Sequence, residues 1–142
     1  MKKFFYLALL LITLVITNCE PDNDYTSLKT SKTISKPVVK VTSTYASGSY
    51  DGWYVIGTVT TGDDDPSNIE CYLEWSKFSM KQSGSVNLSN KSKMRVVNSS
   101  KNRVQFKNEH AGINKGNYVY YRMVGSNSKY TSSTSTTYMV AQ

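Results

Sequence analysis

Histidine, cysteine and proline are scarce in this chain, and each scarcity narrows the chemistry available to it. Among 142 residues there are one histidine (His110), two cysteines (Cys19 and Cys71) and three prolines. One imidazole and two thiols cannot build the usual Cys/His zinc constellations, which argues against a zinc enzyme. Charged residues make up only 19% of the chain, too few for a charged helical protein. No window of the chain beyond its first residues carries a 3.6-residue apolar period, so long amphipathic helices are not expected. No G-x-S-x-G elbow marks a nucleophilic serine. The one long stretch that is almost wholly apolar, Phe4 to Ile16, would span only about 20 Å as a helix. A bilayer core is about 30 Å thick, so this run is too short for a permanent transmembrane anchor.

What is abundant instead is Ser, Thr, Asn and Tyr, with eleven tyrosines. Side chains of this kind favour strands and turns. The length suits a single domain, and a core of that size needs no disulfide staples. Charge is divided unevenly along the chain. Residues 20–76 carry nine acids against four lysines, and residues 77–142 carry eleven bases against the single acid Glu109. A basic half favours contact with anionic lipid, acidic glycan or an acidic protein. In a sandwich the halves interleave, so the block need not form one patch. No nucleic-acid motif is present, and no nucleic-acid partner is expected.

The N-terminus reads Met1-Lys2-Lys3, an apolar segment, then Thr17-Asn18-Cys19. This is the layout of a secretory signal peptide. With a cysteine at the cleavage point it resembles a bacterial lipoprotein signal over residues 1–18. That resemblance implies that Cys19 becomes the first mature residue, carries palmitate or a similar lipid, and holds the protein at the cell envelope, most naturally the outer membrane. Asn18 stands where that family has Gly, Ala or Ser; a plain secretion signal cut nearby is the alternative. With Cys19 lipidated, Cys71 is a small buried hydrophobe; with the cut upstream, a Cys19–Cys71 disulfide is open. Residues 19–36 hold only Tyr25, Leu28 and Ile34 as larger apolar side chains, too few to offset ordering entropy. They are expected to form a flexible tether. The acids Glu20, Asp22 and Asp24 are similar to the export signal of Bacteroidetes surface lipoproteins.

From residue 37 to 142 short apolar runs alternate with turn residues. Strands are expected at Val38–Val41, Trp53–Thr60, Ile69–Trp75, Met94–Val97, Arg103–Phe106, Tyr118–Gly125 and Thr136–Val140, with a weak one around Val86–Leu88. Tyr45–Gly52, Gly62–Asn68 and Asn98–Asn102 read as turns. About seven strands at this spacing predict an all-β, two-sheet sandwich. In Ile69–Trp75 the apolar residues Ile69, Cys71, Leu73 and Trp75 share one face. In Trp53–Thr60 the inward set is Trp53, Val55, Gly57 and Val59. In Tyr118–Gly125, an inward Arg122 would need a buried partner, so Val119, Tyr121, Met123 and Gly125 are assigned to the core.

Two passages are similar to bacterial fibronectin type III-like, or immunoglobulin-like, domains. Gly57-Thr-Val-Thr-Thr-Gly62 with Ile69-Glu-Cys-Tyr-Leu-Glu-Trp-Ser76 resembles their strands B and C. Gly112-Ile113 with Lys115-Gly-Asn-Tyr118 through Asn127 resembles their E–F corner and strand F, with Ile113 for Leu and Lys115 for Pro. The tyrosine-corner role stays open between Tyr118 and its neighbours. The resemblance implies a spacer, adhesion or accessory binding role. No cofactor is expected.

Candidate sites follow. Asp63-Asp64-Asp65 lacks the alternation of a calcium loop and reads as a solvated turn. Trp53 and Trp75 could stack on sugars, but both lie in phase with aliphatic core residues. Outward Tyr54, Tyr72, Tyr118 and Tyr120 with Arg122 are the better ligand-binding candidates. The alternative is cross-strand pairing that only stabilises the sheet. His110 reads as a solvated loop residue. Glu70 and Glu74 lie about 13 Å apart along one strand, too far for a glycosidase pair, and no metal site or catalytic residue is expected. The expected function is a non-enzymatic, lipid-anchored binding or accessory module for an envelope protein or glycan. The alternative is a periplasmic inhibitor or immunity lipoprotein that blocks an enzyme or toxin.

Overall fold

The computed structural model describes residues 33–48 and 52–142. The signal segment, Cys19 and the tether up to residue 32 lie outside the described residues. Among the described residues no helix is long and apolar enough to cross a membrane. Thr33–Lys36 are irregular, and the Ser35 carbonyl accepts a hydrogen bond from Asn127 Nδ2 at 2.8 Å.

Nine strands follow among the described residues: β1 (Val38–Ser47), β2 (Gly52–Thr60), β3 (Glu70–Phe78), β4 (Asn90–Lys93), β5 (Arg95–Ser100), β6 (Arg103–His110), β7 (Tyr118–Ser126), β8 (Thr131–Ser133) and β9 (Thr137–Val140). One sheet has the order β1-β2-β6-β5; the other runs β4-β3-β7, with β8 and β9 both pairing β7. Every pair is antiparallel. The last edge is one strand broken in two. β8 lies along Val124–Ser126 and β9 along Tyr118–Tyr121. Thr134 bridges the break, donating its N–H to the Met123 carbonyl and accepting the Met123 N–H on Oγ1. Lettered along the chain, the sheets are ABED and C′CFG, the arrangement of an immunoglobulin-type sandwich.

The core forms where the period-2 apolar sets of the two sheets meet. Val55, Val59, Val104 and Phe106 face Cys71, Leu73, Val119, Tyr121 and Met123, all at most 4% exposed. Each larger side chain contributes about 1.5–3 kcal/mol on full burial. Gly57 and Gly125 occupy inward positions where the opposing sheet approaches closely. A Cβ on Gly57 would fall 2.1 Å from Met123 Sδ and 2.7 Å from the Lys40 carbonyl oxygen; one on Gly125 would fall 2.8 Å from Val39 Cγ2. Both assigned registers, that of β2 and that of β7, are therefore the ones observed. Of the tyrosines at the start of β7, the inward one is Tyr121, whose pKa is pushed up by burial, with the Thr44 side chain opposing. Cys71 is a free thiol with no exposed surface, its Sγ 3.5 Å from Met94 Sδ and its pKa pushed by burial up to about 12.

Several local expectations are corrected. Val86–Leu88 is irregular and the pairing strand is Asn90–Lys93. β1 runs on through Tyr45–Ser47, which pair with Gly52–Tyr54. β5 extends to Ser100, so only Lys101 and Asn102 form the turn. The Asp63–Asp65 turn is not simply solvated. Asp64 is 3% exposed and accepts from Asp65 N and Asn68 Nδ2. Asp65 caps the 3₁₀ turn Pro66–Asn68 through Ser67, as a short acidic side chain does at a helix start. The register shifts by one in β1 at Val41/Ser43 and in β5 at Val96/Asn98, both edge strands. Bulges at edges discourage further strand pairing.

Candidate functional site

The inward alternation of β6 continues past Phe106 to Asn108 and His110. His110 is therefore a half-buried strand residue, not a solvated loop residue. Its ring stacks on Trp53 at 4.4 Å between centroids and tilts against Trp75 at 4.6 Å, while Trp53 and Trp75 meet edge to face at 5.1 Å. Trp53 is core, 1% exposed, but Trp75 is only half-buried. The indole Nε1 atoms of both are buried and find no acceptor among the described residues. Lys77 closes this end of the sandwich. Its Nζ lies 5.5 Å from the Trp75 ring centroid and donates to the carbonyls of Ala111 and Gly112. Burial first, and the Lys77 charge second, hold the His110 pKa below its ordinary value. His110 Nε2 is 3.3 Å from Ser92 Oγ. The neighbouring acid, Glu109, instead pairs with Lys107 and Arg95 on the outer face, so it does not complete a triad with that pair.

The five outward candidates do not form one site. Tyr54 lies on the outer face of the β1-β2-β6-β5 sheet, stacked on Tyr45 at 5.5 Å and covered by Lys107 Nζ at 4.7 Å. The other four share the outer face of the second sheet. Tyr72 donates its hydroxyl to Glu70 Oε2 at 3.3 Å and lies under Lys91 Nζ at 4.7 Å. Arg122 Nε bonds Glu74 Oε2 at 2.6 Å across β3 and β7. Tyr118 approaches Tyr138 of β9 at 5.7 Å.

Tyr120 points outward yet is buried, only 5% exposed, because the segment after β3 lies over it. Its hydroxyl accepts from Gln82 N at 2.8 Å and donates to the Gln82 carbonyl at 3.2 Å. This tyrosine pins the segment and is withdrawn from the surface as a ligand contact. Around it gather Phe78 (5.6 Å), Tyr138 (5.2 Å) and, over Tyr138, Lys81 Nζ (5.3 Å). Sequence reasoning does not find Phe78, Tyr138 or Lys81. A signal exists only for Tyr138, an aromatic in the final strand, which pairs directly with Tyr120.

Where β4 stops, a groove opens. β4 pairs β3 only over Tyr72–Trp75, whereas β7 pairs it through Phe78. The segment beyond curls away from this free edge, tied back by Ser76 Oγ to Ser89 and the Asn87 carbonyl. The resulting groove, about 580 Å³, is lined by Trp75, Lys77, Phe78, Gln82, Asn87 and Asn90 among others. It lies in the range of about 300–1,000 Å³ usual for small-molecule sites.

The three glutamates of the described residues are all ion-paired: Glu70 with Lys93 at 2.6 Å, Glu74 with Arg122, and Glu109 with Lys107 and Arg95. Lys93 and Tyr72 hold the Glu70 carboxyl below its ordinary pKa, and Lys107 and Arg95 do the same for Glu109. Lys77, Lys81, Lys91 and Lys129 instead lie over aromatic rings, an arrangement that keeps the cation exposed while its stem covers the ring.

No family model matches this chain, and no curated protein matches it. Two solved chains from Listeria monocytogenes are similar to it. One is a cycloalternan-forming enzyme in complex with a pentasaccharide substrate and the other an uncharacterised protein. Each is 18% identical, with a TM-score of 0.47 over 68% of this chain and 8% of that chain. The chain thus spans under a tenth of the length of the proteins it is similar to.

Proposed function

We propose that this chain is a non-enzymatic binding or accessory module of the cell envelope, held there by a lipid on Cys19 and displaying the sandwich on a polar tether. The observation that carries the reading is the outer face of the β4-β3-β7-β9 sheet and the groove at its edge. Tyr72, Tyr118, Tyr138 and Arg122 stand there beside lysines that lie over aromatic rings instead of pairing with carboxylates of the described residues. Aromatic rings with exposed cations suit recognition of a flat or anionic ligand. The N-terminal order of two lysines, a short apolar run and a cysteine supports attachment at the envelope, with the outer membrane as its site. Two or three acyl chains at about 0.8 kcal/mol per buried CH₂ hold a protein stably where one chain does not.

The test is a pull-down from detergent-solubilised envelopes with the intact protein as bait. A specific envelope protein or glycan retained through a salt wash supports the module. Complete elution at modest salt reduces the interaction to loose contact through the basic residues and overturns it. Capture of a hydrolase or toxin with loss of its activity would instead assign the chain to inhibition.

A further inference from the structure

The groove at the end of β4 has a lining that points to a particular ligand chemistry. We propose that it is a subsite for one unit of an acidic, carboxylate-bearing saccharide; this rests on the binding-module reading above and names the ligand class for it.

Three features converge. The first is shape and chemistry. The lining residues include two aromatics, Trp75 and Phe78, and three that carry primary amides, Gln82, Asn87 and Asn90. Sugars present an apolar C–H face together with vicinal hydroxyls that both donate and accept. Amides match this because each carries two donor hydrogens and an acceptor oxygen. Among the described residues much of that capacity is unspent. Gln82 uses only Nε2, on the Met80 carbonyl, and Asn90 uses only Nδ2, on the Trp75 carbonyl and Ser89 Oγ. Asn87 is engaged there only through its backbone carbonyl, by Ser76 Oγ, which leaves its side-chain amide open.

The second is charge. Lys77 lines the groove and is held in place by the carbonyls of Ala111 and Gly112. Lys81 and Lys91 flank the lining residues Gln82 and Asn90 in the chain. Among the described residues none of the three forms an ion pair with a carboxylate; Glu70, Glu74 and Glu109 pair with Lys93, Arg122, Lys107 and Arg95. An anionic substituent at Lys77 would be the complement.

The third is the open strand edge. Ser76–Phe78 have β7 on one side and, among the described residues, no strand on the other. The Cys71 and Trp75 carbonyls are bonded on the β4 side, so by strand alternation the Lys77 peptide groups face this open edge. An extended peptide would also find this edge, but Ser76 Oγ and its bonds to Ser89 and Asn87 close the ladder after Trp75. That leaves a pocket rather than a continuous track.

The test uses the detergent-solubilised full-length protein, titrated by calorimetry with oligogalacturonides, hyaluronan oligosaccharides and sialyllactose, and with neutral galacto-oligosaccharides for comparison. At least one acidic probe should bind saturably, with the neutral probe weaker by about tenfold or more, the worth of one well-placed charge contact. Lys77→Gln should erase that preference, and Asn87→Ala should weaken acidic and neutral sugars alike, both variants keeping the wild-type unfolding midpoint. The inference is overturned by absence of saturable binding to every acidic probe, by equal affinity for the neutral probe, or by binding unchanged in both variants. If the envelope pull-down still captures a partner with Lys77→Gln and Asn87→Ala, the module stands and only the sugar subsite falls. If it captures nothing, even with the wild-type protein, the module falls too.

Discussion

Replacing Gly57 by alanine tests the sheet-to-sheet packing through a single methyl group. In an exposed or loosely packed strand the change would stabilise the protein by roughly 0.5–1 kcal/mol, because glycine loses more backbone freedom on folding. Here the new Cβ would lie 2.1 Å from Met123 Sδ, 2.5 Å from Met123 Cε and 2.7 Å from the Lys40 carbonyl oxygen. The thioether can swing aside but the carbonyl belongs to the β1 backbone, so strain remains. Overpacking of this kind costs about 1–3 kcal/mol, and the sign of the effect is reversed. Met123→Ala alone should cost about 2–5 kcal/mol, since Met123 is fully buried and leaves a cavity. In the double variant the methyl introduced at position 57 occupies part of that cavity. The two costs should then fall short of additivity by about 1 kcal/mol or more. Urea unfolding followed by tryptophan fluorescence reads all four corners of the cycle. A neutral or stabilising Gly57→Ala, or additivity within about 0.5 kcal/mol, would refute the placement of β2 against β7.

Two further outcomes follow from the site geometry. The folded state holds the His110 pKa below its ordinary value of 6.5, so below pH 6.5 the unfolded chain binds a proton that the folded one resists. Stability contributed by neutral His110 is present above pH 6.5 and is lost as pH falls from there through the lowered folded pKa. His110→Phe, which keeps a ring between Trp53 and Trp75, should flatten that limb in urea midpoints measured from pH 7.5 to 5; an unchanged limb would contradict the burial of the imidazole. Tyr120→Phe removes two hydrogen bonds to Gln82 and should cost about 1–2 kcal/mol. It should also speed amide exchange across residues 80–89 more than elsewhere, and uniform acceleration would show that Tyr120 does not pin the segment.

Strand phases are legible in the sequence wherever an apolar alternation is complete or a charge breaks the tie. Ile69, Cys71 and Leu73 define one face of β3, and the cost of burying Arg122 decides β7. Both tryptophans read as core, and Trp53 is; Trp75 sits half-buried at the margin. The reading fails where polar residues occupy inward positions at strand ends. Asn108 and His110 continue the phase of Val104 and Phe106, but their polarity resembles a loop. Asn108 is buried because its Nδ2 donates to the Lys93 carbonyl, a contact no local pattern reveals. Tyr120 alternates outward as expected, and its burial depends on an irregular segment whose path is set by Ser76 and Gln82. Asp64 likewise has the look of solvent-facing charge until Asn68 and the Asp65 N–H meet it. Phase alone selects the candidate tyrosines, and phase cannot separate Tyr54 on one sheet from Tyr118 on the other. The groove requires two facts invisible in one dimension, the late start of β4 at Asn90 and the curl of the chain before it.

Attachment through Cys19 is the claim on which the whole functional account depends. Fractionation of expressing cells, with mass analysis of the N-terminal peptide, tests it directly. The wild-type protein should pellet with membranes and its Cys19 peptide should carry acyl chains, while Cys19→Ser should move to the soluble fraction. Equal partitioning of the two proteins, or an unmodified Cys19 in the mature chain, would contradict it.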